Sequence, residues 1–170
     1  MRLFQTLSAG LLALSIAALA PESADARSVV NYKGIAKGAI VIKTGKRRLY
    51  YGLGNGKAIA YPVGVGRRGK QWTGTKRIWS KRVKPAWRPT KQIIAAKPSI
   101  KRYYGPGEKG NPMGAAALVL SGGGQYAIHG TNNPGSIGGF VSSGCIRMYN
   151  RDIRDLYSKV RVGTRVTVVR

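Results

Sequence analysis

The sequence predicts a mostly β fold, a sandwich or small barrel, with one main helix near the C-terminus. Short apolar runs recur between turn-forming residues, helical periodicity is clear in one place only, and no internal repeat is present. Residues 1–26 read as a cleaved signal peptide. Arg2 gives a minimal positive start, Leu7 to Ala20 is an apolar run, and Ala24-Asp25-Ala26 is a small-residue cleavage site. The run is shorter than the roughly 20 residues of a membrane-spanning helix, so no stable membrane insertion is expected. No cysteine lies near the cut, which excludes a lipid anchor there, and an uncleaved N-terminal anchor is the alternative.

Residues 27–37 are basic and weakly patterned, and are expected to be a flexible leader. Residues 38–170 form one domain. Ala39–Ile42, Arg48–Tyr51 and Ala58–Val63 read as an antiparallel meander, with Asn55-Gly56 the hairpin signal and Pro62 tolerable only near an edge or strand end. Residues 64–112, rich in Gly, Pro, Lys and Arg, are expected to be long loops with short strands that shape a cleft. Trp72, Trp79 and Trp87 within them are expected to anchor core and loops rather than to stack on sugars. Ala115–Leu120 and Gln125–His129 read as a strand pair around Gly122-Gly-Gly124. The helix begins at Asn150 as its cap, carries Asp152 in its first turn on an exposed face, and repeats Ile153, Leu156, Tyr157 and Val160 at helical spacing. Arg165–Arg170 is a last alternating strand.

The charge balance narrows the function. Lys and Arg number 30 against 5 Asp and Glu, a formal net charge of +25. Such a surface attracts polyanions. Export and the absence of a nucleic-acid motif argue against nucleic acid and leave an anionic wall or outer-membrane surface. The densest cluster is Lys76-Arg77, Lys81-Arg82 and Lys84, for which a solvated face is the plainer reading. After signal removal the only acids are Glu108, Asp152 and Asp155, so neither paired-carboxylate chemistry nor a metal site is expected. Ser121-Gly-Gly-Gly124 lacks the Lys-Ser/Thr ending of a phosphate loop.

The remaining chemistry rests on the one histidine and the one cysteine, His129 and Cys145, joined by a loop of Gly, Ser, Asn and Pro. An imidazole beside a thiol can take its proton and raise the thiolate fraction in an ion pair. Gly144 permits a tight turn that brings consecutive N–H groups toward one point, where they can hold an oxyanion. Arg147 is a fixed charge for a substrate carboxylate. The competing reading makes Cys145 a small buried hydrophobe and His129 an ordinary loop residue.

His129-Gly-Thr-Asn, the following Pro and Ser-Ile-Gly, and Ser142-Ser-Gly-Cys-Ile-Arg-Met148 together resemble the signature of the L,D-transpeptidase catalytic domain, the YkuD family. Asn111-Pro-Met-Gly114 and Val162-Gly-Thr-Arg-Val166 extend the resemblance over residues 38–170. It implies an L,D-transpeptidase-like β fold and cysteine acyl transfer on peptidoglycan tetrapeptide stems, without a cofactor. Cys145 would be the nucleophile and His129 the general base and acid. Gly144 and Cys145 would give the oxyanion N–H groups, Gly130 the carbonyl that orients the base, and Arg147 and Ser143 substrate contacts. Many relatives carry His where this chain has Ser143, so any electrostatic contribution from that His is lost here. The expected product is a 3→3 cross-link or an outer-membrane protein attached to peptidoglycan, made in the periplasm of a Gram-negative envelope. The rivals are an L,D-carboxypeptidase with water as acceptor and a non-catalytic basic wall-binding protein.

Overall fold

A computed structural model describes residues 26–123 and 126–170, so the signal-peptide reading of residues 1–26 lies, but for Ala26, outside the described residues. The strands are β1 (Ser28–Asn31), β2 (Ile40–Lys43), β3 (Arg48–Gly54), β4 (Lys57–Pro62), β5 (Val65–Gly66), β6 (Gly74–Val83), β7 (Ala116–Leu120), β8 (Ala127–His129), β9 (Phe140–Ser142), β10 (Ile146–Arg147) and β11 (Arg165–Val169). Helix α1 is Lys91–Ala96 and helix α2 is Asn150–Lys159. Nine strands form one sheet in the order β1-β4-β3-β2-β11-β6-β7-β8-β10, and β5 pairs with β9. Ile40, Ile42, Leu49, Val166 and Val168 from one half of the sheet share a single core with Leu118, Ile128, Ile146, Ile153 and Leu156 from the other half and α2. The sheet therefore wraps around that core.

The meander forms as its alternation dictates. Ile40, Ile42 and Leu49 point inward, Asn55 takes a positive φ of 52° in the two-residue turn after β3, and Pro62 ends β4. The leader expectation fails at Ser28–Asn31, which pairs antiparallel with β4 from Ser28↔Ala60 to Asn31↔Lys57. Val29 and Val30 suit an edge strand, and Arg27 ties its start to α2, with Nη1 3.8 Å from Asp152 and 3.5 Å from Asp155.

The stretch expected as loops contains the longest strand. β6 pairs with β11 through Gly74–Arg77 and then with β7 through Ile78–Val83, so it joins the two halves of the sheet. A bulge between Ile78 and Ser80 marks the change of partner and pushes Trp79 outward, leaving it 68% exposed rather than an anchor. α1 is a second helix that the sequence reading did not find, with the Thr90 side chain accepting from Ile93 N.

α2 buries Ile153 and Leu156, and Val160 at its C-cap is buried with them, as the spacing requires. Two details of its start differ from expectation. Tyr149 occupies the cap position without a side-chain cap bond, and Asn150 has another use described below. Asp152 is fully buried, not exposed, between Arg27 and Arg151. Among the described residues no helix is long and apolar enough to cross a membrane.

Candidate active site

His129 ends β8 and Arg147 ends β10. These strands run parallel with Ile146 beside Ile128 and Arg147 beside His129, so imidazole and guanidinium stand on one face. His129 is buried, and its Nδ1 lies 2.6 Å from Gly130 O. A carbonyl only accepts, so Nδ1 carries the proton and Nε2 presents its lone pair.

Asn150 fixes the backbone that supplies this carbonyl. Its Oδ1 accepts from Ala115 N at 2.9 Å and Thr131 N at 3.2 Å, while its Nδ2 donates to Thr131 O at 3.0 Å. One amide thus ties the chain after His129 to the entry of β7 and to α2. A Cβ on Gly130 would meet Asn150 Oδ1 at 2.3 Å and Ala115 N at 2.8 Å, so only glycine fits there.

The cysteine turn is held from several directions. Ser142 Oγ donates to Cys145 O at 2.6 Å and accepts from Gly144 N at 3.0 Å. The Gly144 N–H, expected as one of two oxyanion donors, is therefore engaged within the turn, and the Cys145 N–H is the other member of that expected pair. Ser142 was not singled out from sequence, although it opens the Ser-Ser-Gly-Cys run. Residues 64–72 wrap the turn from outside: Gly64 exchanges backbone bonds with Arg147, β5 pairs with β9, and Arg67 N donates to Ser142 O at 3.0 Å.

His129, Ser143, Cys145 and Arg147 line one cleft of about 400 Å³. The excursion between β6 and β7 builds its far wall with Trp87, Ile93, Ile100 and Tyr104, so Trp87 faces the cleft instead of serving only as an anchor. Arg67 and Lys97 add charge, and no carboxylate lines the cleft. Arg147 makes no ion pair among the described residues, and its Nε is buried without a hydrogen-bond partner. No group of three His, Cys, Asp or Glu side chains suited to a metal occurs among the described residues.

Burial works against the expected ion pair. Burial is the main influence on His129 and, with a smaller contribution from Arg147, lowers its pKa to about 4 against the pull of the Gly130 carbonyl. Burial raises the Cys145 thiol, opposed by a backbone hydrogen bond from Ala127 and by the Arg147 charge. Both groups thus rest neutral near neutral pH.

The chain matches the L,D-transpeptidase catalytic domain, YkuD, over residues 37–168. It is 41% identical over 144 residues to the probable L,D-transpeptidase YbiS of Escherichia coli K12, covering 76% of this chain and 44% of that protein. It is 40% identical over 131 residues to the putative L,D-transpeptidase YkuD of Bacillus subtilis, covering 77% of this chain and 65% of that one. The chain thus spans less than half the length of the Escherichia coli relative. Among solved structures, L,D-transpeptidase 3 of Mycobacterium tuberculosis superposes with a TM-score of 0.62 at 16% identity, over 78% of this chain and 60% of that one, a likeness of fold.

Proposed function

The chain belongs to the L,D-transpeptidase catalytic-domain family, and from that premise we propose that it is a cysteine acyltransferase acting on peptidoglycan tetrapeptide stems in the periplasm. The observation that carries the reading is a buried imidazole whose Nδ1 is tied to Gly130 O, sharing one acid-free cleft with the chain's one thiol and with Arg147.

In the proposed reaction Cys145 Sγ attacks the carbonyl that joins the third residue of the stem to its terminal D-alanine. The thiol proton passes to His129 Nε2. As the C–N bond breaks, the same proton goes to the departing amine of D-alanine, leaving a thioester on Sγ. An acceptor amine, from a second stem or from a protein lysine, then attacks the thioester and gives its proton to His129, which passes it to the departing Cys145 thiolate. The Cys145 N–H faces the developing oxyanion, Arg147 meets a stem carboxylate, and Ser143 contacts the substrate at the rim. His129 cycles only between neutral and protonated forms, so the carbonyl of Gly130 can replace the carboxylate partner that this acid-poor chain does not place there.

Intact-mass analysis of the mature protein with a tetrapeptide stem tests the reading. A thioester on the wild type and none on Cys145→Ala, with D-alanine released, is the expected result. No adduct from folded, reduced protein would leave the wall-binding reading. Release of free tripeptide only, with or without an added amine, would make the protein a carboxypeptidase.

A further inference from the structure

We propose that Trp72 is a positioning residue for this reaction, aiming the Cys145 N–H at the oxyanion by holding the carbonyl on the other side of the same peptide unit. The inference rests on the acyl-transfer reading above. Trp72 Nε1 donates to Gly144 O at 2.9 Å. That oxygen belongs to the peptide whose N–H is the Cys145 N–H, and in a planar trans peptide the two point in opposite directions. Trp72 lies outside the cleft lining, whereas Ser143 and Cys145 lie on it. A carbonyl pulled back to the indole therefore turns its N–H forward to the cleft. Hydrogen bonding at the oxygen also polarises the peptide and strengthens the N–H as a donor.

The indole is itself fixed. It stacks on Tyr126 with ring centroids 4.9 Å apart and planes 22° apart. Lys76 Nζ sits 5.5 Å from each ring centroid and donates to Ser121 O at 3.1 Å, which holds the pair from one side. On the other side Tyr126 abuts the turn: a Cβ on Gly144 would lie 2.5 Å from Tyr126 Cε1, and the residue's φ is +122°. Glycine is required there on both counts. Tyr126 directly precedes β8, which carries His129, so one aromatic pair references the nucleophile turn to the strand of the base.

Two reactions of one thiol separate this role from a merely structural one. Acylation of Cys145 by p-nitrophenyl acetate creates an oxyanion, whereas alkylation by iodoacetamide does not. Both are measured on the mature wild type, on Trp72→Phe, which keeps an aromatic ring but has no N–H, and on Tyr126→Leu, which keeps the N–H but removes its stacking partner. The Cys145→Ala rate is subtracted as background. Trp72→Phe is expected to slow acylation about 10- to 100-fold, within the range for a lost or misaimed oxyanion donor. Its alkylation rate stays within about 2-fold, because no oxyanion is involved. Tyr126→Leu gives the same split at smaller size. Equal losses in both reactions, unchanged acylation in Trp72→Phe, or no Cys145-dependent acylation of the wild type would each overturn the inference. Because the ester carries no stem, a protein that acylates with it but not with a tetrapeptide fails the substrate reading and not this one.

Discussion

Arg147 stands beside His129 on the adjacent strand and pulls down the pKa of both His129 and Cys145, and that makes their titration testable residue by residue. His129 must be neutral to accept the thiol proton. Held at about 4, it stays neutral well below the usual imidazole range, so the acid limb of the acylation rate is expected near pH 4 rather than near pH 6.5. Replacing Arg147 with Gln removes a cation that disfavours imidazolium and favours thiolate. The acid limb should then move up, and the midpoint for iodoacetamide alkylation should move up as well. A variant in which either midpoint moves down would contradict the assigned electrostatics. Stability follows the same proton. The unfolded imidazole titrates near 6.5 and the folded one near 4, so the unfolded state binds more protons between them. Folding is expected to weaken as pH falls through that window, by at most about 3 kcal/mol from this group at 1.36 kcal/mol per unit. Denaturant titrations of wild type and His129→Gln across the window should differ in slope, and parallel slopes would refute the burial effect.

Among the elements, those with clean periodicity were legible and those built on charge were not. The meander and α2 announce themselves because Ile40, Ile42 and Leu49, then Ile153, Leu156 and Val160, recur at spacings of 2 and 3.6 residues. β6 hides because Ile78 alone is apolar and buried among Thr, Lys and Arg, and because its bulge breaks alternation at Trp79. β1 was masked by basic neighbours, and its pairing depends on long-range bonds to β4. The site divides similarly. His129 and Cys145 stand out as the one histidine and the one cysteine in one short run, and Gly144 and Arg147 by their places beside the cysteine. Asn150 and Trp72 act through hydrogen bonds to backbone groups far away in sequence, and Ser142 through two bonds within its own turn, none of which a periodicity encodes. Asn150 shows what such a bond does for the elements. Asn150→Ala would leave Ala115 N, Thr131 N and Thr131 O without their partner where β7, β8 and α2 meet. At about 1–3 kcal/mol for an unsatisfied buried group, with water recovering part, the expected loss is about 2–3 kcal/mol. In a chain of this size that lowers Tm by roughly 5–10 °C. Calorimetry reads it directly, and an unchanged Tm would mean that water replaces the amide fully.

For the whole molecule the governing quantity is a net charge of +25 set beside a cleft in which His129 is buried and Cys145 half-buried. The two respond differently to salt. Cations such as Arg77, Arg82, Lys84 and Arg165 are exposed on β6, the turn after it and β11, with no acid on those strands to neutralise them. Their attraction to a polyanion acts over a Debye length of about 10 Å at 0.1 M salt and about 3 Å at 1 M. Arg147, partly buried in the cleft, meets a bound carboxylate at contact distance, where screening is weak. Adsorption to isolated anionic sacculi is therefore expected to fall by more than about 10-fold between those salt concentrations. Single-turnover acylation by a soluble stem should change by no more than about 3-fold over the same range, because encounter steering is lost while contact within the cleft persists. Sedimentation of sacculi with bound protein gives the first quantity, and intact-mass kinetics the second. If both fell together, the basic surface would be part of stem recognition itself, and charge reversal at Arg77 and Arg165 would slow acylation as much as replacing Arg147. If they separate as expected, the surface holds the enzyme on its polymer while the cleft alone selects the bond that is cut.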